Sequence, residues 1–143
     1  MQIPFKHRGF TLIEIMIVVV ILGILATLVI PRIIDRPDQA RVVKAKQDIR
    51  SLESTLQMYR LDNFDYPTMA QGLQALISRP DSDPKPVNWQ GPYLDRLPID
   101  PWGNPYIYLN PGEQGTIDLF SQGSDQRQGG QGSAQDIGNW DLQ

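Results

Sequence analysis

Cysteine is absent from all 143 residues, which excludes disulfides, thiolate catalysis and cysteine-held metals together. Histidine is almost as scarce. His7 is the only one, so no imidazole base stands beside Ser121, Ser124 or Ser133 once the first residues are set aside. Asp62 and Asp65 lie close to Tyr66 and read as turn and capping residues, not as an acid/base pair. No catalytic constellation is visible, and the chain is not expected to be an enzyme. Cations are outnumbered, 13 Lys and Arg against 16 Asp and Glu, which makes no case for nucleic acid as a partner. The length allows one modest domain and an anchor. A small exported domain without disulfides often needs another staple, such as a metal.

Charge is missing from Ile15 to Ile30, where Thr27 is the sole hydroxyl. The apolar run from Phe10 to Ile30 spans roughly 31 Å as a helix, against a bilayer core of about 30 Å. One ionisable side chain, Glu14, sits near its start. Pro31, Arg32 and Ile33 follow the run instead of the small residues of a signal-peptide cleavage site, so a cleavable secretory signal is disfavoured. A plain anchor does not explain Glu14. Lys6, His7 and Arg8 favour a cytoplasmic start, while Arg32, Arg36 and Arg41 weigh against it. Val18, Val19, Val20 and Ile21 are mediocre helix formers in water, yet a lone span in lipid is helical anyway. Gly23 and Pro31 are its soft points, with a kink or local break expected near the proline.

From Gln39 onward, Val42, Ala45, Ile49, Leu52, Leu56 and Tyr59 recur at spacings of three and four. That is one apolar stripe on a helix, and it reads as core. Together with the apolar run it predicts a nearly continuous helix from Phe10 to about Leu61, ended by Asp62-Asn63. Thr68-Met69-Ala70-Gln71 fits a capping box, opening a short helix with Leu73, Leu76 and Ile77 on one face. The proline-rich stretch 81–92 is a loop, pinned by Trp89 and Tyr93. Tyr106–Leu109 and Thr116–Phe120 predict a hairpin with a long, glycine-containing loop, and Ile137–Leu142 a third strand or strand-like tail. A small antiparallel sheet against the helical stripe makes the fold class α+β.

Gln122 to Asp136 holds no large apolar residue and carries Gly123, Gly129, Gly130 and Gly132. Composition alone describes a flexible loop. It is bracketed by apolar segments, however, and an ordered loop there needs something to offset its entropy. Asp125, Ser133 and Asp136 offer side-chain oxygens of the kind calcium takes, although the spacing is not that of an EF-hand. Calcium and simple flexibility both stay open on these residues.

Gly9-Phe10-Thr11-Leu12-Ile13-Glu14-Ile15 resembles the start of type IV pilins and of type II secretion pseudopilins. Leu61-Asp62-Asn63, Tyr66-Pro67-Thr68, Gln71-Gly72-Leu73, Asp100-Pro101-Trp102-Gly103 and Asp136-Ile137-Gly138-Asn139-Trp140 resemble the major pseudopilin of type II secretion in particular. The resemblance covers nearly the whole chain. It implies a pilin-like fold whose long amino-terminal helix is half membrane-spanning and half amphipathic. The implied organisation is a basic leader over 1–9, an apolar filament-core helix over 10–34 and a periplasmic globular domain over 35–143. The leader would be cut between Gly9 and Phe10 by a prepilin peptidase that also methylates Phe10, with Glu14 as the assembly residue. Loss of Lys6 and Arg8 then takes the formal charge of −3 to −5. The implied function is the main subunit of a periplasmic pseudopilus, a helical homopolymer that helps drive folded exoproteins across the outer membrane. Implied partners are minor pseudopilins, an inner-membrane assembly platform with its ATPase, a secretin, and inner-membrane lipid before assembly. The alternative is a type IV pilin for adhesion, twitching or DNA uptake, whose usual carboxyl-terminal cysteine pair is missing here. In the filament, the Gly23-to-Pro31 segment is expected to lose helicity. The family also implies calcium in the 122–136 loop, with Asp125 and Asp136 as carboxylate ligands and Gln122 and Arg127 giving carbonyls. Ser133 is a further candidate, and Gln135 stands where some relatives place a carboxylate.

Overall fold

The computed structural model describes residues 9–29 and 31–142, with side chains over 9–25 and 37–142. Two compact units divide the chain, 1–37 and 38–143. The first holds α1 (Leu12–Val29). Its apolar side chains from Leu12 to Leu25 are all exposed, as expected of a helix that is apolar on every side and meets no core of its own. Among the described residues no helix is both long and apolar enough to cross a membrane. The transmembrane reading over 10–34 continues into side chains outside those described, as do the leader residues Lys6 and Arg8. Gly23 lies within α1, and Ile30, part of the expected break, is outside the described residues.

α2 (Pro31–Asn63) has Pro37 inside it, where the missing amide removes one helical hydrogen bond. The boundary between the units falls directly after that proline. Beyond it the predicted stripe is the core. Ala45, Ile49, Leu52, Leu56 and Tyr59 are all at most 2% exposed, and Val42 packs against them. Each large apolar side chain so buried contributes about 1.5–3 kcal/mol. Asn63 ends the helix as expected, and its side chain donates back to the Tyr59 carbonyl at 3.0 Å.

The stripe packs with Leu73, Ala75 and Leu76, and with Tyr108, Ile117, Leu119 and Ile137. The sheet is antiparallel, ordered β1 (Ile107–Leu109), β2 (Asp118–Ser121), β3 (Ile137–Gly138). Tyr108 pairs with Leu119, and Ser121 with Ile137. Tyr106 reaches α2 from just before β1, donating to Asp48 Oδ2 at 2.9 Å. Burial holds its phenol far above the ordinary 10.0, and the neighbouring Asp48 carboxylate pushes the same way.

Several local readings needed adjustment. The capping box is present, with Thr68 N donating to Gln71 Oε1 at 3.0 Å and Gln71 N to Thr68 Oγ1 at 3.2 Å. It opens only a turn and a 3-10 segment, Leu73–Leu76. β2 starts two residues later than expected because Gly112 N donates to the Thr116 carbonyl and takes Thr116 into the loop. β3 is only two residues long because Asn139 replaces the ladder with its side chain. It accepts from Leu119 N at 3.0 Å and donates to the Ile117 carbonyl at 3.1 Å. The chain then turns through a 3-10 segment, Asn139–Asp141. The loop pins hold as read: Trp89 Nε1 donates to the Ala75 carbonyl at 2.9 Å and Tyr93 Oη to Asp62 Oδ2 at 2.8 Å.

Candidate functional site

Gly9 and Phe10 precede α1 in non-helical, exposed backbone, and Phe10 is 78% exposed. Thr11 is the residue before α1, and it forms a reciprocal pair with Glu14. Glu14 N donates to Thr11 Oγ1 and Thr11 N to Glu14 Oε2, each at 3.4 Å. This is a capping box, a role the sequence reading missed although the Thr-x-x-Glu spacing was there to signal it. It also places the carboxylate beside the positive end of the helix dipole.

The second candidate is the loop after β2. Its root is a buried polar chain. Ser121 Oγ donates to Asp100 Oδ2 at 2.6 Å and accepts from Gly123 N at 3.1 Å. Asp100 Oδ1 takes the amides of Trp102 and Asn104 at 3.0 and 2.8 Å. Ser121 is fully buried, so this pair anchors the loop and offers no nucleophile to a substrate. Neither residue was singled out for this role from sequence, although Asp before proline was a turn signal at Asp100.

Gly123 has φ 64, and a Cβ there would lie 2.7 Å from the Ser133 carbonyl oxygen and 2.8 Å from that of Gln135. Only glycine allows the two arms to approach this closely. Ser124 N donates to the Ser133 carbonyl at 2.9 Å, and Gly129 and Asp136 exchange two bonds, one to Asp136 Oδ2 at 2.9 Å. Asp136 Oδ1 is buried with no hydrogen-bond partner. A carboxylate oxygen left so costs a few kcal/mol. Asp136 and Gln122 line one cleft of about 320 Å³, shared with Gln128 and Glu113. Asp125, Arg127 and Ser133 do not line it. Asp125 is exposed and turns its Oδ1 to Arg127 N at 3.1 Å. Among the described residues no three His, Cys, Asp or Glu side chains gather to hold a metal. Carbonyls and the Asp136 carboxylate are all oxygen donors, and that chemistry suits a hard cation such as calcium.

Residues 32–140 match the family described as Type II secretion system (T2SS), protein G, and residues 4–30 match the prokaryotic N-terminal methylation motif. The chain belongs to the type II secretion protein G family. Among its relatives, the type II secretion system core protein G of Pseudomonas aeruginosa is 58% identical, over 95% of this chain and 96% of that one. The core protein G of Vibrio cholerae is 53% identical over 96% and 94%. The crystal structure of the major pseudopilin from the type 2 secretion system of enterohaemorrhagic Escherichia coli matches with a TM-score of 0.69 and 48% identity. That match covers 80% of this chain and 98% of the other. The pilin-like α+β reading therefore stands, and so does the main functional reading, a major pseudopilin of type II secretion. Nothing in these likenesses favours the type IV pilin alternative. Membership places the protein in the secretion machinery of the cell envelope, in a family of structural subunits.

Proposed function

We propose that this pseudopilin starts in the inner membrane with its globular unit in the periplasm. It is cut between Gly9 and Phe10, is methylated on Phe10 by the same peptidase, and then polymerises into a periplasmic filament. The observation carrying this reading is α1 itself. A helix exposed and apolar around its whole circumference from Ile15 to Leu25 is stable only in lipid or among copies of itself. Filament growth from an inner-membrane platform driven by its ATPase, under a tip of minor pseudopilins, pushes folded exoproteins towards the secretin. The role is structural, not catalytic. In the filament the segment from Gly23 to Pro31 loses helicity. Deletion of the gene is expected to trap exoproteins in the periplasm and leave surface pili and motility intact, with release restored by the full chain. Normal release from the deletion strain would overturn the reading.

We also propose that calcium occupies the 122–136 loop. Asp136 and Asp125 supply the charge, with Asp125 closing onto the ion, and the carbonyls of Gln122 and Arg127 complete the set with Ser133 at the margin. The orphaned Asp136 Oδ1 supports this. With Gln135 where some relatives place a carboxylate, the site is less anionic. Calcium at about 100 times its Kd contributes about 2.7 kcal/mol, and each kcal/mol moves the midpoint by about 4–8 °C in a domain of roughly 60–100 residues. Melting in excess calcium against chelator is expected to differ by at least several degrees. Coincident midpoints would remove the metal from the account.

A further inference from the structure

A cleft of about 190 Å³ opens where the end of α2, the turn after it and the proline-rich loop meet. Hydrogen bonds between distant segments fix its walls. Gln71 Nε2 donates to the carbonyls of Ser82 and Pro84 at 3.1 and 2.9 Å, and Asn63 Oδ1 accepts from Asn88 N at 3.0 Å. Asn110, just after β1, is tied to the same turn, its Nδ2 donating to the Pro67 carbonyl at 2.8 Å. These groups are committed to shape, so the cleft is built before any ligand arrives.

Other polar groups lining it are not committed. Tyr59 is only 2% exposed, yet its hydroxyl has no hydrogen-bond partner among the described residues. The hydroxyls of Tyr93, Tyr106 and Tyr108 donate instead to Asp62, Asp48 and the Pro67 carbonyl, as buried phenols usually do. Burial holds the Tyr59 phenol above the ordinary 10.0, with Tyr93 and the Asp65 carboxylate adding to the effect. At neutral pH it is therefore a proton donor. Asp65 commits only Oδ1, to Tyr66 N at 2.8 Å. Neither Asp65 nor Lys85 makes an ion pair among the described residues. Apolar surface comes from the Tyr66 ring and from Val87, which is 75% exposed.

This combination selects a neutral, hydroxyl-rich ligand. A lone anion meets repulsion from Asp65, and a lone cation from Lys85. A small zwitterion pairs with both, but these side chains are exposed and such pairs contribute little; it also brings no apolar face to Tyr66 and Val87. A sugar ring does bring one, and each of its hydroxyls both donates and accepts. The cleft is smaller than sites for drug-sized ligands, about 300–1,000 Å³, and suits a single ring. We propose that it binds one pyranose ring of a neutral sugar, free or as a residue of a glycan. Tyr59 Oη donates to one ring hydroxyl, and the Asp65 carboxylate accepts from another.

Saturation-transfer NMR on the full-length protein, in a detergent without a sugar headgroup, tests this with glucose, N-acetylglucosamine and the linear tetramer of the latter. Transfer to the ring protons of at least one probe is expected. Binding of the tetramer at least as tight as that of the monomer identifies a glycan as the source, and binding of monosaccharides alone a free sugar. Tyr59→Phe keeps the ring and removes only the unpaired hydroxyl, so the thermal midpoint should hold while affinity falls at least about ten-fold, on the order of 1.4 kcal/mol. Asp65→Ala, at the exposed rim, should weaken binding in the same way. Absence of transfer to all three probes overturns the proposal, and so does stronger transfer to free alanine than to any sugar. Unchanged sugar binding by Tyr59→Phe overturns it as well. If that variant does not fold, Asp65→Ala decides, and parental affinity there is equally fatal.

Discussion

Glu14→Gln is expected to leave the chain in the membrane fraction and to reduce filament assembly by more than about ten-fold. If the chain is cut ahead of Phe10 as proposed, Glu14 becomes the fifth residue of the mature chain, near a new amine with an ordinary pKa of about 7.7–8.0. A carboxylate in a helix span costs several kcal/mol unless it is paired, less near an interface. On the proposed reading, the amine of a neighbouring Phe10 would supply that pairing only in the assembled state and so would make the acid a device for register. The capping box with Thr11 offers a competing explanation, because it occupies the carboxylate within one subunit. Glutamine separates the two. It serves at the third position of a capping box as glutamate does, so the helix start survives while the charge is lost. Quantifying sheared filaments against membrane-bound subunit gives the answer. If Glu14→Gln assembles normally and Glu14→Ala does not, capping is the role and the charge pairing is refuted.

The second large effect is expected at Asp118, a carboxylate only 2% exposed that makes no ion pair among the described residues. Its oxygens accept from the amides of Glu113, Gln114 and Gly115 at 2.7 to 3.2 Å, and Gly112 packs so closely that a Cβ would lie 2.6 Å from Oδ1. Three charge-assisted bonds thus replace the counter-ion that a buried carboxylate otherwise needs. Asp118→Ala deprives all three amides and opens a cavity under the loop. The amides lie near the surface and water recovers part of the loss, so the expected destabilisation is about 2–3 kcal/mol. Asp118→Asn retains an acceptor and should lose about half as much. Denaturant titration of the purified protein measures both, and an alanine variant within about 0.5 kcal/mol of the parent would show the loop amides to be solvated already.

The contrast between Asp118 and the helical stripe shows which features were legible. Ala45, Ile49, Leu52, Leu56 and Tyr59 announce their common face because helical periodicity writes a tertiary fact into local spacing. Thr68 and Gln71 are legible for the same reason, since their partners are three residues away. Asp118 looked like an ordinary strand residue, as its use in the preceding loop leaves no period behind. Asn139 holds Leu119 and Ile117 from 20 and 22 residues away, and Asp100 meets Ser121 across 21. No local pattern marks such pairs. In the 122–136 loop the oxygens were nameable from composition and resemblance, but their convergence was not. Asp136 and Gln122 share a cleft, while Asp125 faces solvent.

Taken alone, the order of residues determined the apolar run, the methylation motif that contains it, the core face of α2 and the absence of thiol chemistry. All of these depend on neighbours within about four positions, or on mere composition. Tertiary structure alone decided where the strands begin and end, which buried carboxylate is satisfied and which oxygen of Asp136 is left without a partner. It also left the Phe64 and Ile99 side chains exposed. Those outcomes depend on segments distant in the chain competing for the same donors and the same buried space. That competition is settled only when the whole unit packs.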